Sequence, residues 1–207
     1  MPFLKTIIIN DHNKIMFWEI ILGELNHKEL SNDEKILLKL KKSNIFKEQF
    51  LATRKILDIE NPDYKINYNH NGKPSLNNGC NVSISHSHKI TAVAISNNYK
   101  IGLDVQLKVK KIFNIQNKFL NKSEKLYIGD NPSVNILTMI WTSKESIYKA
   151  LGLKGISFSK NIKIDKLLEK DKTGKGVYIN GIEKIKFDLK FFNINEYIIC
   201  YAYEVSC

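Results

Sequence analysis

Three side chains stand out as able to do chemistry on a phosphate. Two of them, Glu145 and Lys149, lie in Trp141-Thr142-Ser143-Lys144-Glu145-Ser146-Ile147-Tyr148-Lys149-Ala150-Leu151-Gly152. On a helix, Trp141, Glu145 and Lys149 fall on one face. A carboxylate and an ammonium aimed together can grip a phosphate and its metal ion. The same spacing also serves a surface ion pair worth about 0.3–0.5 kcal/mol. The third is Asp104, after Ile101-Gly102-Leu103. A carboxylate at the end of a buried strand is costly unless paired, hydrogen-bonded or metal-bound. Alternation turns Asp104 and Gln106 to one side and Val105 to the other. The competing reading makes Asp104 a cap on the next turn.

Two further segments are polar and rich in hydrogen-bonding groups. In Val82-Ser83-Ile84-Ser85-His86-Ser87-His88 a serine and a histidine are adjacent. Neighbouring strand residues point to opposite faces, so Ser85 and His86 make a poor nucleophile and base. His86 and His88 could share a metal, yet no third ligand stands at suitable spacing. Asn71-Gly72-Lys73-Pro74 is a turn in which the proline forces Lys73 to be extended.

Taken together and in order, these segments resemble the 4'-phosphopantetheinyl transferase superfamily, in its two-lobed, Sfp-type branch. That family shows a Gly-Lys-Pro turn, an Ile-Ser-His-Ser strand end, an Ile-Gly-Ile/Leu-Asp strand and a Trp-x-x-Lys-Glu-(Ala/Ser)-x-x-Lys helix. Here they stand at Gly72–Pro74, Ile84–Ser87, Ile101–Asp104 and Trp141–Lys149. The match is good from about Phe50 to Gly152; before and after it, only length and strand pattern agree.

The resemblance implies roles. Asp104 and Glu145 would hold Mg²⁺ against the pyrophosphate of coenzyme A, with Lys149 reaching the same phosphates. Ser85 and His86 would contact coenzyme A, with Lys73 and Pro74 near its nucleotide and Arg54 on its phosphates. Glu124, in Asn121-Lys122-Ser123-Glu124, is similar to a family glutamate proposed to help deprotonate the acceptor serine, the alternative base being a metal-bound water. Many members carry a third acid where this chain has Gln106. An amide oxygen can still ligate without adding charge, and Mg²⁺ usually keeps several waters. The implied partner is an apo acyl or peptidyl carrier protein, acidic in character, modified by a monomeric enzyme.

The elements that must position these residues are legible in outline. Strands are expected at Lys5–Ile9, Lys65–Tyr68, Val82–Ser85, Thr91–Ser96 and Ile101–Val105, then at Ile185–Phe191 and Tyr197–Val205. Helices are expected after the capping-box spacing Ser31 to Glu34, over Phe46–Leu57, Ile112–Phe119, Ser123–Tyr127 and Val134–Leu151. This order predicts an α+β protein of two pseudo-symmetric halves, 1–98 and 99–207. Each would be a small antiparallel sheet packed with helices, with the active site at their interface.

Composition agrees. With 32 Lys plus Arg against 21 Asp plus Glu, the net charge of +11 suits anionic partners such as coenzyme A and an acidic carrier. The lysines are scattered, which argues against a nucleic-acid stripe, so no nucleic acid is expected. The competing readings are a basic nucleic-acid-binding module and an inactive homologue that only docks carriers. No apolar run approaches the ~18 residues of a membrane span. Cys80, Cys200 and Cys207 show no CxxC pairing. The expectation is a cytoplasmic protein without structural zinc or membrane association.

Overall fold

The computed structural model describes residues 3–25 and 30–205; Cys207 and Met1 lie outside them. The chain opens with β1 (Phe3–Asn10) and β2 (Asn13–Glu19), followed by helices α1 (Asn32–Lys39) and α2 (Asn44–Glu60). Short strands β3 (Ile66–Tyr68) and β4 (Pro74–Leu76) lead into β5 (Asn81–Ser87) and β6 (Ile90–Ser96). Then come β7 (Ile101–Leu107), a 3-10 turn (Lys110–Asn114), α3 (Gln116–Phe119), α4 (Lys122–Ile128) and α5 (Val134–Leu151). The last elements are α6 (Phe158–Asn161), β8 (Ile162–Leu168), β9 (Thr173–Asn180), β10 (Glu183–Ile194) and β11 (Tyr197–Glu204).

Among the described residues the strands form two antiparallel sheets, β1-β2-β6-β5-β4-β3 and β7-β11-β10-β9-β8. The protein is thus α+β, with two sheets each packed by helices, and residues 97–100 connect one sheet to the other. The N-terminal sheet packs α2 on the face bearing Met16, Trp18, Val93 and Ile95. The C-terminal sheet packs α5 on the face bearing Phe187, Leu189, Cys200 and Ala202. Between the sheets lies a third apolar layer, with Ile15, Phe17, Ala92 and Ala94 from one and Leu103, Val105, Ile199 and Tyr201 from the other.

Local chemistry sets the helix ends. Ser31 and Glu34 form a reciprocal capping box at the start of α1, satisfying donors the helix cannot pair itself. Ser133 accepts from the Ile136 N–H at the start of α5, and Gly152 ends that helix in the left-handed conformation at φ +64°. The expected helix over Ile112–Phe119 is instead a 3-10 turn followed by one short helical turn, broken at Ile115. Among the described residues no helix is long and apolar enough to cross a membrane.

Candidate active site

β7 is an edge strand of the C-terminal sheet, so alternate backbone N–H groups face away from β11 and need partners. The hydroxyls of β5 supply them. Ser83 Oγ accepts from Leu103 N at 2.8 Å, Ser85 Oγ from Val105 N at 3.0 Å, and Ser87 Oγ from Leu107 N at 3.2 Å. All three serines are buried. The Ser-x-Ser-x-Ser alternation of β5 is therefore a seam joining the two sheets. On the adjoining strand Ala92 and Ala94 pair with Ser85 and Ser83, and their small side chains keep the approach close.

On its other side β7 lies against α5 with no room to spare. A Cβ on Gly102 would stand 1.8 Å from Ser146 O and 2.8 Å from Ala150 N, so only glycine permits this contact. Ser146 Oγ donates to Cys200 O on the neighbouring strand at 2.8 Å. The close packing sets Asp104, two residues after Gly102, beside the α5 face that carries Glu145 and Lys149.

The resulting geometry is specific. Lys149 Nζ donates to Asp104 Oδ1 at 2.8 Å, to Ser85 Oγ at 3.0 Å and to Leu103 O at 3.0 Å. Ser85 Oγ donates to the same Asp104 Oδ1 at 2.9 Å. Asp104 is 6% exposed, and its Oδ2 is buried with no hydrogen-bond partner among the described residues. Glu145 is half-buried one helical turn before Lys149. Its carboxyl is pushed up to about 7, first by burial and then by the Asp104 charge, with Lys149 pulling the other way. Two carboxylates that repel each other, one with a buried orphan oxygen, are the surroundings that a divalent cation relieves. Gln106 is half-buried two residues along β7, on the same strand face. Hard oxygen donors of this kind fit Mg²⁺. Among the described residues no three His, Cys, Asp or Glu side chains gather at one point. A cation here would be held by two acids and an amide at most.

A cleft of about 280 Å³ lies beside this cluster, lined by residues of both halves that include Lys73, Ile84, Tyr148 and Lys149. Pro74 lines it too. The Lys73 ammonium donates to Ala150 O, and Asn71 Nδ2 donates to Gly152 O at 3.0 Å. The turn thus caps the end of α5, and burial holds the Lys73 ammonium below its usual range. His86 is exposed. Desolvation by its surroundings and then the Lys149 charge lower its imidazole below the ordinary range. Arg54 stands apart from the carboxylate cluster in its own contacts. Its Nε donates to Glu34 Oε1 at 3.0 Å and its guanidinium lies 3.9 Å from the Phe50 ring centre.

Glu124, expected to help deprotonate the acceptor serine, is 2% exposed and enclosed. Its Oε2 accepts from Lys144 Nζ at 2.7 Å and from Asn121 N at 2.9 Å, while Oε1 accepts from Ile164 N at 2.8 Å. Lys144 is fully buried and also donates to Phe119 O, Phe158 O and Ile162 O. One ion pair therefore ties α3, α4, α6 and β8 to α5. The sequence reading missed Lys144 as a structural centre; a lysine flanked by Ser143 and Glu145 gave no sign of complete burial. Trp141 packs between two aromatic rings, 5.2 Å from that of Phe119 and 5.6 Å from that of Phe158.

Comparison with known proteins places this arrangement. Residues 100–202 match the family model of the 4'-phosphopantetheinyl transferase superfamily. Over this segment the chain has the sequence of that superfamily. Over 100 residues it is 30% identical to the 4'-phosphopantetheinyl transferase gsp of Aneurinibacillus migulanus. That match takes in 47% of this chain and 42% of the relative, so less than half the relative's length is spanned. The superfamily segment contains Asp104, Gln106, Glu124, Glu145 and Lys149; Arg54, Lys73, Pro74, Ser85 and His86 precede it.

Proposed function

We propose that the protein transfers the 4'-phosphopantetheine group of coenzyme A to a serine of an apo acyl or peptidyl carrier protein, with Mg²⁺, releasing adenosine 3',5'-bisphosphate. The observation that carries this reading is the buried, unpartnered Oδ2 of Asp104 beside the raised carboxyl of Glu145, inside the superfamily segment.

In this reading Asp104 and Glu145 hold the cation, with Gln106 able to offer its amide oxygen. When bound, Mg²⁺ neutralises charge on the diphosphate. Lys149 adds a fixed positive charge at the same point. The cleft between the halves receives part of coenzyme A, and exposed His86 stands on the same strand as the seam. Transfer forms one bond, from the serine oxygen to the β-phosphorus. It breaks one bond, from that phosphorus to the bridging oxygen, which leaves on the bisphosphate. Such chemistry asks the protein mainly for positioning and charge neutralisation. The serine proton passes to solvent water at the open cleft; Glu124, locked in its ion pair, is read as architecture and not as the group that takes it.

The test is intact-mass measurement of several apo carrier proteins after incubation with the purified protein, coenzyme A and Mg²⁺. Gain of one phosphopantetheine on a carrier supports the reading. No gain on any carrier, with a working transferase as positive control, would overturn it.

A further inference from the structure

A serine hydroxyl has one proton and two acceptor lone pairs, and Ser85 has used all three. The proton goes to Asp104 Oδ1, and the lone pairs receive Val105 N–H and Lys149 Nζ–H. The Lys149 ammonium is equally committed, its three protons on Ser85 Oγ, Leu103 O and Asp104 Oδ1. Ser85 Oγ, Asp104 Oδ1 and Lys149 Nζ thus close a triangle with sides of 2.9, 2.8 and 3.0 Å. Both donors converge on one oxygen of the carboxylate, and the other is left bare.

The geometry points to Ser85 as a positioning residue that keeps Asp104 Oδ2 free for a divalent cation, and not as a direct contact to coenzyme A. This rests on the cation site proposed above. Without the hydroxyl, Lys149 would have a spare N–H and Asp104 Oδ1 would lose a donor. The nearest relief for both is a two-oxygen ion pair between Lys149 and Asp104. That pair would occupy Oδ2 and compete with the cation. Ser87 makes the same kind of seam bond, to Leu107 N, but reaches neither Asp104 nor Lys149, so it serves as an internal control.

The experiment is Mn²⁺ titration, followed by electron paramagnetic resonance with coenzyme A present, of the full chain and of Ser85→Ala, Ser87→Ala and Asp104→Asn. Far-ultraviolet circular dichroism checks each fold, and Ser85→Cys stands in if the alanine variant does not fold. Replacing groups that orient a metal ligand costs roughly 10–100-fold in affinity. Ser85→Ala should therefore weaken Mn²⁺ binding by about tenfold or more, with turnover recovering as Mg²⁺ is raised, while Ser87→Ala binds like the parent. Equal affinity in Ser85→Ala and the parent overturns the proposal. So does an equal loss in both serine variants, or a change confined to the affinity for coenzyme A. Unchanged Mn²⁺ affinity in Asp104→Asn overturns the cation site itself, which separates the two failures.

Discussion

Lys144 and Glu145 are adjacent on α5 yet face opposite tasks: Lys144 is bonded to Glu124 at 2.7 Å in the interior, while the Glu145 carboxyl feels the charge of Asp104. Burying an ion pair is tolerable only when both charges are fully bonded, and removing one partner strands the other. Lys144→Met should cost about 3–5 kcal/mol in denaturant unfolding. The double variant Glu124→Gln with Lys144→Met should recover most of it, because the amide oxygen can still accept from Ile164 N. A single variant as stable as the parent would remove the pair from its structural role.

Glu145 gives the pH dependence. Its carboxyl rises from an ordinary 4.5 to about 7 in the folded chain. The folded state therefore binds this proton more tightly than the unfolded one. The associated stability is complete below about pH 4.5 and is lost as pH climbs through about 7. With chelator present, the parent should lose stability across that window, and Glu145→Gln should lose less. Unfolding midpoints from pH 4.5 to 8 check this; identical slopes for parent and variant would contradict it.

Asp104→Ala and Glu145→Ala should each abolish transfer to a carrier while leaving the circular dichroism spectrum intact. The mass assay reads the first effect directly. Near-normal turnover in both variants would show that the two carboxylates are not the cation's ligands.

Gln106→Glu should be tolerated, because an acid on that strand face can take the same place at the cation. The expected result is turnover within a few fold of the parent and no loss of Mg²⁺ dependence. A metal-independent or inactive variant would argue against Gln106 facing the cluster.

Gly102→Ala tests the contact that brings strand and helix together. A methyl group 1.8 Å from Ser146 O forces β7 off α5. The expected cost is about 3 kcal/mol, the upper end of ordinary overpacking. Transfer should fall further than stability alone explains, since Asp104 moves relative to Glu145.

Much of this framework was legible in the sequence where local signals are strong. The limits of α5 follow from its apolar spacing between Ser133 and Gly152, and α1 follows from its capping box. Other elements carry no such signal. β2 was not expected, because Ile15-Met16-Phe17-Trp18 is buried on both faces and so does not alternate. β9 hides behind Gly174 and Gly176, which look like turn residues but lie against Leu167 and Ile147. At the site, sequence order singled out Asp104, Glu145 and Lys149. It could not reveal that Glu124 is enclosed or that Lys73 caps α5, because those facts depend on which distant element covers each charge. The serine alternation in β5 was visible, yet its partners lie twenty residues on, across a gap between sheets.

That seam has a consequence for how the halves can meet. Hydroxyls occur on every second residue of β5, and the side chains of Ile84 and His86 between them point to the opposite face, so sliding one sheet by a single residue would leave the waiting amides without an acceptor. Docking is therefore phase-locked in steps of two residues, about 6.6 Å, far coarser than any tolerance at a metal centre. The halves engage in one phase or lose the centre altogether, with no intermediate setting in which it is merely weakened.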